Sequence, residues 1–331
     1  MKKLLTAFLS AIVVGVSALG FTACGNGGSD GIEVYAPDGA PALAIAKLMA
    51  EDTQFGKEVN YHVVDAESIT STVTYEDMNK NADLCILPVN DASLLLGSGA
   101  DYKMLGTVTH GNLYLVSATE KTALTADNFA QEITGKKVGV VQMAKFPGAI
   151  TKLILSEYGV SEEVTLQAVQ PTEVTGVGSD CDYFVIPEPA ASTRIGNPNL
   201  NLMQAGSLQS LYGGESGYPQ AVLVAKNSLI ESDPEFISQF TAALAASSLW
   251  LLDETVSSET ILNAIKAHYP DPENTTPAFT KLSKSVIANC AVYFTPAADC
   301  KTEVKTFLSK LKGVNATFAD EVTDNFFYIN A

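Results

Sequence analysis

Arginine is all but missing from this chain. Arg194 stands alone among 331 residues, in a sequence with 37 acidic side chains, 20 basic ones and a formal net charge of −17. Nucleic-acid backbones are gripped by clustered Lys and Arg, so this balance excludes them as partners. Histidine is nearly as scarce. His62, His110 and His268 stand in unrelated contexts, no set of His and Cys has metal-ligand spacing, and neither a metal nor another cofactor is expected. Gly-x-Ser-x-Gly occurs only at 27–31, ahead of the first strand rather than between a strand and a helix where a nucleophile elbow sits. There is no P-loop either, which removes two common routes to catalysis. Cysteine is sparse too. Cys85 lies in an apolar run and reads as a buried small hydrophobe, and Cys181 flanks a similar run. Cys290 and Cys300, ten residues apart around VYFTPAAD, are expected to form a disulfide outside the cytoplasm.

What is present begins with an address. Lys2 and Lys3 precede an apolar or small run from Leu4 to Gly20, and Phe21-Thr22-Ala23-Cys24 closes it. A run this short suits a signal peptide, over 1–23, better than a membrane span. Small residues before a cysteine resemble the bacterial lipoprotein cleavage site, with Phe21 where Leu is usual, so Cys24 is expected to become the lipidated first residue. GNGGSDG, over 25–31, then completes a flexible tether, 24–31. With 47% hydrophobic and 17% charged residues, the chain as a whole has the composition of a packed α/β protein, and its length suggests two domains.

The most informative stretch is IEVYAPDGAPALAIAKLM, Ile32 to Met49. Ile32 to Ala36 reads as a strand, Pro37-Asp38-Gly39-Ala40 as a turn, and Pro41 as the first position of an apolar helix. A helix N-terminus after a strand leaves free N–H groups over the strand's end, a seat for a polar or anionic group. Lys137 to Leu155 repeats the order, with Gln142, Lys145 and Phe146 in the loop and Pro147 standing 106 residues after Pro41. A second pair is offset by 99 residues: DLCILP-VND-AS from Asp83 and DYFVIP-EPA-AS from Asp182. Two segments in one order at nearly one offset predict two copies of an α/β unit.

Between these landmarks, Val59 to Val64, Lys103 to Thr109 and Leu113 to Ser117 read as strands and Ala66 to Lys80 as a polar helix. A helix is expected over Asp91 to Leu96, with Asn90 and Asp91 placed to cap it. Thr125 is placed to cap a short helix ending at Ile133. Tyr218 to Ala225 reads as a β-rich return, Asp233-Pro234 opens a long helix to Leu252, and the rest to Phe327 reads as mostly helical.

In order, then, stand PDGAP before an apolar helix, ADLCILP-VNDAS, GNLYLVS, GKKVGV, YFVIPEPAAS and YPQAVLV. The ordered set resembles the extracytoplasmic substrate-binding lipoproteins of ABC importers of the nitrate/sulfonate/taurine type, which share a fold with thiamine-pyrimidine precursor proteins. The resemblance runs from about Ile32 to the end. It implies an α/β, two-lobed periplasmic-binding-protein fold of type II, with two crossovers and a ligand cleft between the lobes. Lobe 1 is expected over 32–116 plus 220–331 and lobe 2 over 117–219. It also implies a monomer, lipid-anchored outside the cell membrane, that closes on a small molecule and is read by a membrane permease. The ligand could be sulfonate-, nitrate- or thiamine-pyrimidine-like. An enzyme is not expected, because the cysteine-rich motif of the pyrimidine synthases is missing. A surface lipoprotein for sensing or partner binding stays open as the alternative.

Ligands of open α/β sheets bind beyond the carboxyl ends of strands. That rule nominates Asp38, Gly39, Ala40, Asn90, His110, Gln142, Phe146, Gly148 and Glu188 as ligand-binding residues. Glu188 is the strong acceptor among them.

Overall fold

The protein is described by a computed structural model covering residues 31–74, 82–118, 122–275, 278–279 and 282–329. The expected signal peptide, Cys24 and nearly all of the tether lie outside these residues. Eleven strands form two sheets among them: β1 (Ile32–Pro37), β2 (Val59–Val64), β3 (Leu84–Pro88), β4 (Tyr102–Thr109), β5 (Leu113–Ala118), β6 (Lys137–Val141), β7 (Thr165–Val169), β8 (Tyr183–Pro187), β9 (Leu202–Ser207), β10 (Ala221–Lys226) and β11 (Val292–Pro296). Sheet one runs β11-β4-β10-β3-β1-β2 and sheet two β7-β6-β8-β5-β9. In each, three strands pair in parallel (β2-β1-β3 and β7-β6-β8), and an antiparallel strand then joins them to a fourth.

Reversing the second order exposes the repeat: β4-β10-β3-β1-β2 matches β9-β5-β8-β6-β7. The antiparallel strand of each sheet belongs to the other copy of the repeated unit, β10 in sheet one and β5 in sheet two. The backbone therefore crosses between sheets twice, from β4 to β5 and from β9 to β10.

The helices follow the strands: α1 (Ala40–Ala44), α2 (Ala46–Ala50), α3 (Ser71–Thr74), α4 (Val89–Gly97), α5 (Phe129–Ile133), α6 (Phe146–Glu157), α7 (Ala190–Ile195) and α8 (Leu208–Gly213). After β9 and β10 come α9 (Asn227–Ser232), α10 (Pro234–Leu252), α11 (Ser258–Ala267), α12 (Lys284–Asn289) and α13 (Ala297–Val314). Asp233 caps α10 through Phe236 N at 3.0 Å, as its Asp-Pro start predicts.

Three apolar layers hold this together. One cluster lies on the outer side of sheet one with α1, α2, α10 and α11, and a small one on the far side of sheet two. The largest spans the space between the sheets and includes Phe307, Leu308 and Leu311 of α13 beside Ile150 and Ile154 of α6. Helix α13 is thus a shared wall. Phe307 stacks nearly parallel to Tyr218 at 5.7 Å, and Lys310 pairs with Glu157 at 2.7 Å.

Several expectations are corrected here. Cys290 and Cys300 are free thiols. Cys290 belongs to the outer cluster of sheet one and Cys300 to the inner cluster, so strand β11 between them delivers the two sulfurs to different cores. The helix expected from Pro41 to Met49 breaks at Ile45, whose φ of −104° and ψ of 7° separate α1 from α2. The polar helix expected over 66–80 is turns followed by the single-turn α3, with 75–80 outside the described residues. The helix expected from Asp91 begins earlier, at Val89. Neither Asn90 nor Asp91 caps it, since both already lie inside its first turn. The C-terminal part, expected to be mostly helical, also carries strand β11.

Candidate functional site

The carboxyl ends of β1, β3, β6 and β8 converge on one cavity of about 530 Å³. Seven of the nine nominated residues line it: Asp38, Gly39, Ala40, Asn90, Gln142, Phe146 and Glu188. The crossovers supply Asn112 and Gln220, and the C-terminal part supplies Ala278, Thr317 and Phe318.

After β1, Asp38 spends its carboxylate on the backbone. Oδ1 accepts from Gly39 N at 2.7 Å and Oδ2 from Ala278 N at 2.8 Å. Gly39 sits at φ +102°, where a side chain would be strained, and lets the chain turn directly into α1. After β6 the loop is more exposed. Gln142 adopts φ +55° and is exposed, Lys145 is exposed, and α6 starts at Phe146 with Pro147 in its first turn. Phe146 is 9% exposed and lies 6.0 Å from the Tyr218 ring.

Glu188, at the end of β8, is 3% exposed. Its carboxylate accepts from Ser192 N (3.0 Å), Ser192 Oγ (2.7 Å) and Asn289 Nδ2 (2.9 Å). The residue nominated as the free acceptor therefore caps α7 and ties sheet two to the segment before β11. Asp91 occupies the contrasting position. It is half-buried in the first turn of α4, and its one side-chain bond comes from Asn90 Nδ2 at 2.8 Å. Burial lifts its carboxyl above the ordinary range, opposed by the charge of Lys145 and by the Asn90 bond.

The crossovers run side by side beneath the cavity. Gln220 N donates to Thr109 O (3.0 Å), Tyr218 N to His110 O (3.3 Å), and Gln220 Nε2 to Asn112 Oδ1 (2.7 Å). Gly217, at φ +67°, is required there, because a Cβ would lie 2.0 Å from His110 O.

His110 and Gly148 are not in the cavity wall. The His110 ring is stacked on Tyr293 with centroids 3.7 Å apart, its Nε2 3.2 Å from Tyr293 O, and burial pushes its pKa down to about 4. A Cβ on Gly148 would lie 1.7 Å from Met143 O, so this glycine lets the loop after β6 lie against α6. Sequence reasoning missed Ala278, Thr317 and Phe318, which reach the cavity from the C-terminal part of the chain, well beyond the strand ends that the repeat marks, and carry no local signal. Asp91 was visible, but as a cap. Among the described residues no group of three or more His, Cys, Asp or Glu could hold a metal ion.

No protein-family model matches this chain, and no curated protein matches it. Solved structures do. An ABC transporter protein from Parabacteroides distasonis is 19% identical, with a TM-score of 0.69 over 92% of this chain and 100% of its own. The periplasmic aliphatic sulphonate binding protein SsuA from Escherichia coli is 12% identical, with a TM-score of 0.62 over 91% of this chain and 94% of its own. A mutant of DszB in complex with biphenyl-2-sulfinic acid is 13% identical, with a TM-score of 0.57 over 90% and 96%.

Proposed function

We propose that this chain, which has the two-lobed fold of periplasmic binding proteins, is the extracytoplasmic solute-binding lipoprotein of an ABC importer. It captures a small polar, anionic or heterocyclic molecule and delivers it to a membrane permease. One observation carries the reading: a cavity of about 530 Å³ sits at the carboxyl ends of strands from both sheets, walled by both halves of the pseudo-repeat. That volume suits a small molecule. Its walls belong to two bodies joined by two adjacent crossovers, so a ligand touching both favours closure over opening.

In this reading lobe 1 is 32–116 plus 220–331, lobe 2 is 117–219, and Cys24 carries the lipid that holds the protein at the outer face of the membrane. The test is a thermal-shift screen of the purified protein against sulfonates, nitrate, pyrimidines and aromatic carboxylates. A ligand at a hundred times its Kd adds about 2.7 kcal/mol to the native state, so its Tm must rise. A screen without a shift, from protein that also releases no small molecule on denaturation, overturns the reading. For the anchor, Cys24→Ala is expected to leave the membrane fraction or to remain unprocessed.

A further inference from the structure

The chemistry of the cavity wall selects among ligand classes, on the premise that the cavity is the solute site. Four carboxylate residues line it (Asp38, Glu67, Asp91 and Glu188) against one cation, Lys145. The sole arginine is elsewhere: Arg194 gives its guanidinium to the carbonyls of Val174 (2.6 and 3.0 Å) and Thr172 (3.0 Å). On the first-lobe side the N-terminal end of α4 already has the Asp91 carboxylate in its first turn. Helix α1 has five residues and ends at the break at Ile45, too short to build a substantial dipole.

The acids are not equivalent. Asp38 and Glu188 are saturated by internal donors, and Glu67 is exposed at the rim. Asp91 is half-buried, holds one bond, and has its second oxygen unspent. Beside it Asn90, 8% exposed, has a buried Oδ1 with no partner. The amide cannot be turned to relieve this without setting its oxygen against the Asp91 carboxylate. Asp91 thus offers the free acceptor on the wall, and the Asn90 oxygen buried beside it adds to the negative potential there. The neighbouring surface is apolar and stiff, with Pro41, Pro88, Pro147, Pro189, Phe146 and Phe318.

We propose that the cavity takes a ring-sized nitrogenous ligand whose cationic or N–H-donating head group is anchored on Asp91, and that it discriminates against anions. The apolar body lies against the proline and phenylalanine surface, and the head group supplies the donor that the second oxygen of Asp91 lacks. A bound cation relieves the burial of the Asp91 charge, whereas a sulfonate or carboxylate at this spot meets like charge and an acceptor. Lys145 is exposed, so solvent screens it, and its charge already acts on Asp91 rather than standing free for an anion.

The experiment compares benzamidine with benzenesulfonate, matched in ring and opposite in charge, by calorimetry and thermal shift at millimolar concentration. It uses the purified wild-type protein, Asp91→Asn and Lys145→Ala, with the unliganded Tm of each variant as the folding control. Benzamidine is expected to bind at least about tenfold more tightly than benzenesulfonate. Asp91→Asn should weaken benzamidine at least about tenfold, and Lys145→Ala should not weaken it. Preference for benzenesulfonate, or equal benzamidine binding by Asp91→Asn, overturns the inference and leaves the importer reading standing. Silence from both probes also overturns it. Mass spectrometry of small molecules released by denaturing protein from its own cells then separates the two: a released anion sinks only the head-group inference.

Discussion

The two halves of the pseudo-repeat agree in their strands and part company at the cavity. Aligning Pro41 with Pro147 sets Gly39 against Lys145 and Ala40 against Phe146. Aligning Pro88 with Pro187 sets Val89 against Glu188, Asn90 against Pro189 and Asp91 against Ala190, before Ala-Ser recurs in both. The buried strand residues keep their apolar character because they meet equivalent layers. The strand ends face one shared space from opposite sides, and a ligand without two-fold symmetry asks different things of each. The first half presents a pinned turn at Asp38 and the unspent acceptor of Asp91. The second presents an exposed loop, an aromatic ring and a carboxylate consumed by internal bonds. What duplication preserves is the scaffold, and what diverges is the wall.

Four perturbations break or sharpen this comparison. Gly217→Ala strikes the crossover that both halves share. A Cβ 2.0 Å from His110 O, on a backbone at φ +67°, should cost on the order of 3–5 kcal/mol in urea unfolding. Gly213→Ala, with open space around its Cβ and negative φ, is the near-neutral control. Next comes acid. His110 has a folded pKa of about 4 against about 6.5 when unfolded, so the unfolded chain takes up a proton that the fold refuses. Its contribution is complete above about pH 6.5 and is lost as pH falls toward 4, on the order of 3 kcal/mol in all. A pH–stability curve for His110→Gln should be flatter than wild type in that window.

Glu188→Gln tests whether the second half relies on a polar tie where the first has only Val89. Losing charge-assisted bonds to Ser192 and Asn289 should lower stability by about 2 kcal/mol without any ligand present. A stable variant with weakened ligand binding would instead restore Glu188 to the role of free acceptor. The smallest effect belongs to Lys310→Ala, which removes a surface pair with Glu157 and a contact over Tyr212 at 5.2 Å. Screening by solvent holds that loss to about 0.5 kcal/mol, so the grip of α13 on sheet two should survive by virtue of Phe307.

Legibility in the sequence followed locality. Strand β2 was readable to its ends and β1 to within one residue, because β-branched runs there are bounded by turn formers. The turn after β1 was readable from Asp38-Gly39 and Pro41. Strand β11 was not, although Val292-Tyr293-Phe294-Thr295 has the composition of a strand, because it lies between helices and beside two cysteines that invited a covalent explanation. The break at Ile45 carries no Gly or Pro signal. Among cavity residues, those at strand ends could be found from the repeat. His110 could not be told from them, since it too ends a strand, and only the approach of Tyr293 from the far end of the chain draws it aside.

The exchange of strands also sets an order of assembly. Every strand of sheet two lies between residues 113 and 207, so that sheet can close on a continuous piece of chain. Sheet one cannot. Its β3 and β4 are joined only through β10, and its edge waits for β11, which ends at Pro296. A chain emerging N-terminus first can thus pair β1, β2 and β3, but it holds the open edge of β3 and the whole of β4 unpaired across more than a hundred residues, with the slow loop closures that such distant pairing entails. The lobe that begins first is finished last, and nearly the whole polypeptide must be through before it can lock.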